Sequence, residues 1–489
     1  MRLDDITGKM ADKDRLALQG ISPEAMARQY AAMHVLEKKT LKLVLRSMGC
    51  LPFTFQQLEK HKEDGLTGSE LKVGLIRLRQ QRVLFAFRKT WGEQIFILPS
   101  DTFPVWQRLV FASAEEEAAV EERQVEPLHA PVKGLASRMF RLLVHAAEGI
   151  PLTQKGAIHK RELMKCAEIL ELREEFFQHM ELNYAGSAHY SASFAIVFDF
   201  ALRLGLLKPE LSSIALQPSR VGQWLNHSDE QLNLSLYSLW KTVCMPEEVW
   251  MQHFLSWMER FPRDNWFLLH SGLDWLAKNR LFADDGAEVS LQKIIHRVLM
   301  PLAGLGWLEL GQTGEGQYAA RWKVDHQHRG AQHEEPAVFF VQPDFEVIVP
   351  PSVPYIVRWE LECFAEHVQT DHVSHYRLSR ESVQRAWAHG RDAEDILSFL
   401  HQHAQYGVPE HVERAIESWL GDCGKVHFAE AVLLRCRDEA VAAQIAADEL
   451  CRSLIEETLG NKDFLIKKQH VRPLMEQLKK NGYALFLAA

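Results

Sequence analysis

Residues 67–98 read TGSELKVGLIRLRQQRVLFAFRKTWGEQIFIL, and this stretch contains the pattern that predicts the fold. Its first four residues open a helix, on which Leu71, Leu75 and Leu78 recur at helical spacing. Two strand-like runs follow at 83–87 and 94–98. Helices followed by a β-hairpin are typical of a winged helix, so the stretch predicts a winged-helix module.

The same order of elements recurs along the chain. Helices are expected at 135–147 and 191–204, with a short strand at 214–216. A further helix at 290–300 precedes strand-like runs at 307–310 and 317–324. We therefore expect a mainly α protein with small β-hairpins, of the α+β class, in tandem modules. The expected parts are a winged-helix module (1–112), an acidic linker (113–132), two winged-helix-like modules (133–228 and 229–324), a second linker (325–336) and a C-terminal domain (337–489).

Composition indicates an ordinary folded protein. The chain has 489 residues, of which 47% are hydrophobic and 25% charged. The seven cysteines are scattered without a CxxC pair, which favours buried thiols in a reducing compartment. The first ten residues lack an apolar signal region, and the longest apolar run is too short and too charged to span a bilayer. We therefore expect a cytoplasmic protein without a membrane partner, nucleoid-associated if bacterial.

Catalytic motifs are missing from the sequence. It has no GxxxxGK[ST] phosphate loop, no GxGxxG after a strand, and neither GxSxG nor HExxH. We therefore expect a protein that is not an enzyme and that needs no cofactor.

Histidines and tryptophans offer weaker signals. Two groups of histidines could supply metal ligands: His326, His328 and His333, and His367, His372 and His375. Because spacing alone does not supply ligand geometry, we interpret both groups as solvated side chains. Trp240, Trp250 and Trp257 follow an apolar helical pattern and are expected in the core.

Positive charge is concentrated in the first module, although the whole chain carries a net charge of −9. Between Leu71 and Gly92 there is no acidic residue. To contact DNA, a winged helix needs cations on its recognition helix and on its wing, and this run covers both. The candidate DNA-binding residues here are Lys72, Arg77, Arg79, Arg82, Arg88 and Lys89, with Trp91 at the wing tip. A solvated helix face with an exposed hairpin is the simpler alternative.

Two further basic groups extend the candidate interface. The second module contributes Lys155, Lys160, Arg161 and Lys165, with His159 beside them and Glu162 reducing the net charge. The C-terminal tail contributes Lys467, Lys468 and Arg472, although lysines near a helix C-terminus also stabilise the helix dipole. The third module has few cations at its hairpin, and we expect it to be structural or protein-binding.

The C-terminal region resembles a known family. Residues 340–350 read FVQPDFEVIVP, and residues 376–383 read YRLSRESV. In that order they are similar to the N-terminal domain family of XPB-type helicases, and the same pattern continues through Ala386, Gly390, Ile396, Leu397, Phe399, Leu400, Pro409 and Trp419. The resemblance covers 338–483 and implies an α/β domain linked to DNA-damage recognition and partner docking. With winged-helix-like modules ahead of it and no motor motifs, the layout is similar to the non-catalytic TFIIH subunit that clasps XPB.

These observations predict a non-catalytic, DNA-binding, helicase-associated accessory protein in DNA repair or transcription-linked remodelling. The expected partners are duplex or damaged DNA and an XPB-type helicase. One alternative is a protein–protein scaffold that docks a helicase without binding DNA, which the net acidity favours. A ligand-sensing transcriptional regulator is a third, but the sequence contains no recognisable effector pocket.

Overall fold

The computed structural model describes residues 22–61, 65–88, 92–111, 118–180, 189–282, 287–326, 338–370, 373–421, 423 and 431–483. The chain divides into two compact units. Unit 1 comprises residues 1–379 and 398–409, and unit 2 comprises residues 380–397 and 410–489. Both combine helices with small antiparallel sheets, which confirms the expected α+β class.

Unit 1 begins with helices and a hairpin, as the sequence predicts. The elements are α1 (Pro23–Ala32), α2 (Val35–Ser47), α3 (Phe55–Glu59), α4 (Gly68–Gln80), β1 (Phe85–Arg88), β2 (Gln94–Ile97) and α5 (Phe103–Val110). A capping box starts α4: the Thr67 N–H donates to Glu70 Oε2 over 2.8 Å, and the Glu70 N–H donates to Thr67 Oγ1 over 3.2 Å. The hairpin is antiparallel, with Phe85 opposite Ile97 and Arg88 opposite Gln94.

The next elements of unit 1 form a helical layer with short strands. They are β3 (Ala119–Val120), β4 (Val125–Pro127), α6 (Leu135–His145), β5 (Ile150–Pro151), α7 (Lys160–Leu170), α8 (Ala192–Arg203), β6 (Leu207–Pro209), β7 (Ser213–Leu216) and α9 (Pro218–Leu225). Strands β5, β7 and β6 make a three-stranded sheet in that order. Ser191 caps α8, since its Oγ accepts from the N–H of Phe194.

The remaining helices of the expected third module complete this layer. They are α10 (Asp229–Cys244), α11 (Val249–Met258), α12 (Leu269–Lys278), α13 (Ala287–Ile294) and α14 (Met300–Gly304), with a π-type turn at Ile295–Leu299 before α14. Three strands, β8 (Trp266–Leu268), β9 (Leu308–Thr313) and β10 (Tyr318–Trp322), join a five-stranded sheet in the order β3-β8-β10-β9-β4.

The segment 113–132, expected as an acidic linker, contains two short strands. Its described residues provide β3 and β4, the two edge strands of that five-stranded sheet. Val125 is buried and packs with Trp266 and Ala319. The many Glu and Ala residues suggested solvation, but a few apolar residues are enough to attach an edge strand whose other face stays polar.

A continuous core joins the three expected modules of unit 1. It runs from Met26 to Val324 and also takes in Tyr355. Trp240 and Trp257 are buried in it, as predicted, and Trp250 is partly buried against it. Hydrogen bonds also cross between distant segments: the Cys50 N–H donates to Gln252 Oε1 over 2.9 Å. The boundaries between the three expected modules stay a prediction. All seven cysteines are free thiols.

Unit 1 ends in a four-stranded sheet with one helix. The strands are β11 (Phe340–Val341), β12 (Glu346–Val349), β13 (Glu366–Thr370) and β14 (Ser374–Arg377), in the order β11-β12-β14-β13, and the helix is α15 (Tyr355–Glu362). Phe345 takes a left-handed φ of +66° in the turn that joins β11 to β12. Two short antiparallel strands thus flank Pro343-Asp344.

Unit 2 has its own small core. Its helices are α16 (Arg380–Ala388), α18 (Glu410–Gly421), α19 (Glu439–Ala447), α20 (Glu449–Leu454) and α21 (Val471–Lys480), and helix α17 (Ala393–His403) has residues in both units. Strands β15 (Ala431–Arg435), β16 (Glu457–Leu459) and β17 (Asp463–Lys467) form a sheet in the order β15-β17-β16. Phe464 and Ile466 of β17 share the core of this unit with Leu474 of α21. Among the helices of both units that the structure describes, none has the length and apolar character needed to cross a membrane.

Candidate nucleic-acid interface

Helix α4 places the first basic group on the surface of unit 1. Leu71, Leu75 and Leu78 are buried against the core, and the side chains between them face outward. With about 3.6 residues per turn, Lys72 and Arg79 fall on one flank of the exposed face and Arg77 on the other. All three are exposed, as is Arg88 at the end of β1. The cations that the sequence predicts therefore lie on the helix and on the hairpin that follows it.

Not all of these cations are free of a carboxylate. Arg77 Nη1 lies 3.7 Å from Oε1 of the buried Glu37 on α2. The run Leu71–Gly92 contains no acidic residue, but Glu37 on the earlier helix α2 supplies a negative charge to Arg77. The expectation of a basic run without counter-charge is therefore wrong at Arg77. For Arg79 and Arg88, the described part of the chain contains no ion-pair partner.

Lys72 and Arg82 have different surroundings. Lys72 Nζ lies 4.9 Å from the centre of the Phe55 ring, a cation–π contact. Arg82 follows the end of α4 and takes a φ of +61°. This left-handed residue ends the helix and turns the chain into β1. Lys89 and Trp91, the expected wing-tip residues, lie outside the described residues.

The centre of the exposed α4 face is apolar. Val73 is 42% exposed and Ile76 is 55% exposed, and they lie between the basic flanks. Ile76, Lys72 and Phe55 border a groove of about 400 Å³ that continues to Gln94 and Phe96 on β2. A major-groove helix carries polar side chains at its centre to reach base edges. Exposed apolar residues at this position are more typical of a protein-binding face.

The second basic group lies at the start of α7. Lys155 is in the preceding turn, and Lys160 and Arg161 occupy the first turn of the helix, all exposed. Cations at a helix N-terminus are unfavourable for the helix dipole, so these residues are not explained by helix stability. Lys165 is partly neutralised, because its Nζ lies 3.2 Å from Glu162 Oε2. Glu162 also contacts His145 Nε2 at 2.6 Å, and these hydrogen bonds hold the pKa of its carboxyl below the usual value.

The third basic group belongs to unit 2. Lys467 ends β17 and pairs with Glu456 at 2.9 Å. Lys468 follows it, and Arg472 lies exposed in the first turn of α21. The predicted site residues therefore fall on three separate sets of elements, and Arg77, Lys165 and Lys467 form ion pairs with described carboxylates.

The hairpin of the third module offers little free charge. Arg321 pairs with Glu309 and with Glu122, the latter at 2.9 Å. Lys323 Nζ lies 2.7 Å from Asp264 Oδ1, and these cations hold the pKa of Asp264 below its usual value. The two cations of this hairpin are thus already engaged within unit 1.

The histidine groups are less solvated than expected. His326 is largely buried against Tyr237 and Trp322, and burial lowers its pKa to about 4. His367 Nε2 lies 2.7 Å from Thr370 Oγ1, and burial lowers its pKa to about 3. Aromatic neighbours and a sheet that the sequence pattern did not reveal account for both differences. His328, His333 and His372 lie outside the described residues.

Sequence reasoning missed one basic cavity. It has a volume of about 410 Å³ and is lined by Lys133, Arg138, Arg141 and Arg358, together with polar residues of β13 and β14. The available signal was a pair of arginines three residues apart, Arg138 and Arg141, in an otherwise apolar helix. Arginines at i and i+3 lie on one face of a helix, so both could be expected to line the same surface.

Comparisons with known proteins bear on the C-terminal third of the chain. Residues 339–459 match the family model of a helicase conserved C-terminal domain. A search of curated proteins found no match. The chain therefore carries a helicase-associated domain in this region, which suggests a helicase-related role. The narrower resemblance to XPB-type helicases and to a TFIIH subunit stays a prediction.

Proposed function

We propose that this chain is a non-catalytic accessory protein that binds duplex DNA and works with a helicase. Within that proposal, the helicase is of the XPB type and the setting is DNA repair or transcription-linked remodelling. Lys72, Arg79 and Arg88 contact the sugar-phosphate backbone from α4 and β1, and Lys160 and Arg161 add contacts from the start of α7. Unit 2 and the end of unit 1 serve the helicase.

The observation that carries the proposal is the exposure of Arg79 and Arg88 without a carboxylate partner in the described part of an acidic chain. Guanidinium groups bind phosphate oxygens through paired, charge-assisted hydrogen bonds. The helicase-associated domain at 339–459 supports a role beside a nucleic-acid motor. Helix stabilisation is the competing explanation for Arg79, because it lies in the last turn of α4, where a cation favours the dipole. It does not apply to Arg88, which lies in a strand.

Charge reversal tests this proposal. Arg79→Glu combined with Arg88→Glu should weaken binding to a labelled duplex about tenfold or more at 100 mM salt. It should also reduce the slope of log affinity against log salt by about 2, since each lost phosphate contact contributes about 0.9. Fluorescence anisotropy measures both quantities.

The matched control changes net charge equally at another place. Arg220→Glu combined with Lys278→Glu reverses two exposed cations on α9 and α12, which lie outside the proposed interface. This control should bind DNA within about twofold of the wild type. Equal weakening in both double variants would mean that only net charge matters, and the assignment to α4 and β1 would be wrong.

A second function is favoured by Val73 and Ile76. Their exposure beside the Phe55 groove suits a protein partner, so the chain is alternatively a scaffold that docks a helicase without binding DNA. Under this alternative, Ile76→Asp weakens binding to a purified XPB-type helicase while Arg79→Glu with Arg88→Glu does not. A wild-type protein that ignores duplex DNA at 50 mM salt and binds the helicase would select it.

A further inference from the structure

The basic cavity of unit 1 lies between elements that are far apart in sequence. Helix α6 provides Arg138 and Arg141, helix α15 provides Arg358, and strands β13 and β14 provide Thr370 and Ser374. Its volume of about 410 Å³ falls within the range of small-molecule pockets, about 300–1,000 Å³. A duplex is far too large to enter a cavity of this size, so the cavity is distinct from the proposed DNA surface.

Positive charge exceeds negative charge in this cavity. Lys133 Nζ lies 3.0 Å from Glu171 Oε2, and Arg141 pairs with Glu362. Arg138 and Arg358 have no carboxylate partner among the described residues. Arg358 is instead held by neutral groups: it donates to the Val353 carbonyl at 3.0 Å, the Pro350 carbonyl at 2.6 Å and Ser374 Oγ at 2.8 Å. Four cations against the two carboxylates Glu171 and Glu362 therefore leave a net charge of about +2 around the cavity.

Arg138 is the clearest sign of a missing partner. It is only 7% exposed, yet its Nη1 donates a single long hydrogen bond of 3.3 Å to the Gly304 carbonyl. Its Nε is buried without an acceptor in the described part of the chain. Burial lowers the pKa of this guanidinium to about 10, so it stays charged at neutral pH. Glu171 acts on this charge electrostatically but is not at ion-pair distance from it. Because a buried guanidinium N–H without an acceptor is unfavourable, an anion in the cavity would relieve the cost.

We propose that this cavity binds a phosphate monoester, with Arg138 as its central anchor and Lys133, Arg141 and Arg358 around it. A phosphate monoester carries close to two negative charges at pH 7, which matches the net positive charge of the cavity. The Ser374 hydroxyl lines the same wall. It accepts from Arg358 Nη1 and Thr370 Oγ1, which leaves its own proton to donate to a phosphate oxygen. The shared chemistry is the phosphate group, and its source is a nucleotide-sized small molecule or the 5′ end of a nucleic-acid strand.

Binding to the full chain tests this inference. Isothermal titration and thermal melting are run with inorganic phosphate, AMP, adenosine and acetate at matched ionic strength. Phosphate and AMP should bind with saturation and raise the melting temperature, whereas adenosine and acetate should not. A 5′-phosphorylated oligothymidylate compared with its 5′-hydroxyl form identifies the source: a difference between the two assigns a strand end, and equal behaviour assigns the free nucleotide.

Variants link binding to the cavity. Arg138→Met should weaken AMP binding at least tenfold, and Arg138→Lys should weaken it less because the charge is kept. Lys133→Met, at a half-exposed position, should also weaken AMP binding and provides a second test in case Arg138→Met does not fold. Arg220→Met, an exposed arginine on α9, is the control and should bind AMP as the wild type does.

Absence of phosphate binding in the wild type, or unchanged affinity in Arg138→Met and Lys133→Met, overturns the inference. Duplex binding should be unaffected by all these variants, so failure here does not count against the proposed DNA surface.

Discussion

His326 shows how a polar side chain becomes part of an aromatic core. Its ring centre lies 4.8 Å from that of Tyr237 and 4.3 Å from that of Trp322. Its Nε2 is buried without a hydrogen-bond partner among the described residues. Nearby, the buried Glu259 accepts from the Tyr237 hydroxyl at 2.6 Å and from Lys241 at 2.7 Å. The imidazole is held neutral because burial penalises its charged form by more than the nearby Glu259 carboxylate favours it.

A pH dependence of stability follows from His326. Its pKa is lowered from 6.5 to about 4 in the folded chain, so between these values the unfolded chain binds a proton that the folded chain does not. Stability should therefore fall as the pH drops from 6.5 toward 4. His326→Phe removes this proton uptake and the unpartnered Nε2. Relative to the wild type, it should gain on the order of 2 kcal/mol in the free energy of unfolding between pH 7 and pH 5.

Urea denaturation at the two pH values measures this gain. His227→Gln, which removes an exposed imidazole at the end of α9, is the control and should follow the wild type at both. If the free energies of unfolding of His326→Phe and the wild type differ by the same amount at pH 7 and at pH 5, His326 is not buried and neutral as described.

Single residues were predicted well where the signal was local. Trp240 and Trp257 are buried, as the apolar helical spacing around each of them predicted. The partner of Arg77 was missed, because Glu37 lies on a different helix and no local pattern connects the two. The cavity around Arg138 was missed for the same reason, since its walls come from three distant segments.

At the scale of elements, the packing of α4 against α2 depends on Gly74. A Cβ built on Gly74 would lie 2.0 Å from Thr40 Oγ1 and 2.9 Å from Thr40 Cβ. Thr40 is buried, and its hydroxyl donates to the Leu36 carbonyl at 2.9 Å, so it has little room to move. The glycine thus sets the distance between the helix that carries the basic residues and the core beneath it.

Gly74→Ala should destabilise unit 1 despite the better helix propensity of alanine. Overpacking against Thr40 should lower the free energy of unfolding by about 1–3 kcal/mol. The matched control is Gly222→Ala in α9, where an added Cβ meets no atom within 4 Å. There the substitution should raise stability by about 0.5–1 kcal/mol, because alanine favours the helix. Thermal melting of both variants measures the contrast, and shifts in the same direction would contradict the close packing of α4 on α2.

Element identities could be predicted because their signals are short-ranged. Ser22, Thr67 and Ser191 each cap the helix that follows, and apolar spacing supplied the rest. Strands β3 and β4 could not be predicted, because each is held by pairing with β8 or β9, more than a hundred residues away in the chain. A two- or three-residue edge strand has no pattern of its own.

At the scale of the whole molecule, the tandem organisation was harder to predict than the elements. The α+β class is confirmed, but the segments of three expected modules contribute to one core in unit 1. Module boundaries depend on which faces become buried against each other, and this depends on contacts such as Cys50 with Gln252 that no local pattern encodes. A helicase-associated domain was expected in the right place, since the expected region 338–483 contains the matched residues 339–459, whereas the XPB-type pattern behind that expectation stays a prediction.

The net charge of the whole chain distinguishes a local DNA-binding interface from a general affinity for DNA. The chain has a net charge of −9, so binding to DNA has to come from the exposed cations of α4, β1 and α7 rather than from the average surface. About four to six phosphate contacts from these groups would give a steep dependence on salt.

The salt dependence of duplex binding by the wild-type chain tests the proposed function most directly. Anisotropy of a labelled duplex is recorded at 50 mM and 200 mM salt with the full chain. We expect the affinity to fall roughly a hundredfold or more between these concentrations, as release of counter-ions from about four to six phosphates requires. No binding at 50 mM salt, or an affinity that changes less than about fivefold, would contradict DNA binding through these cations.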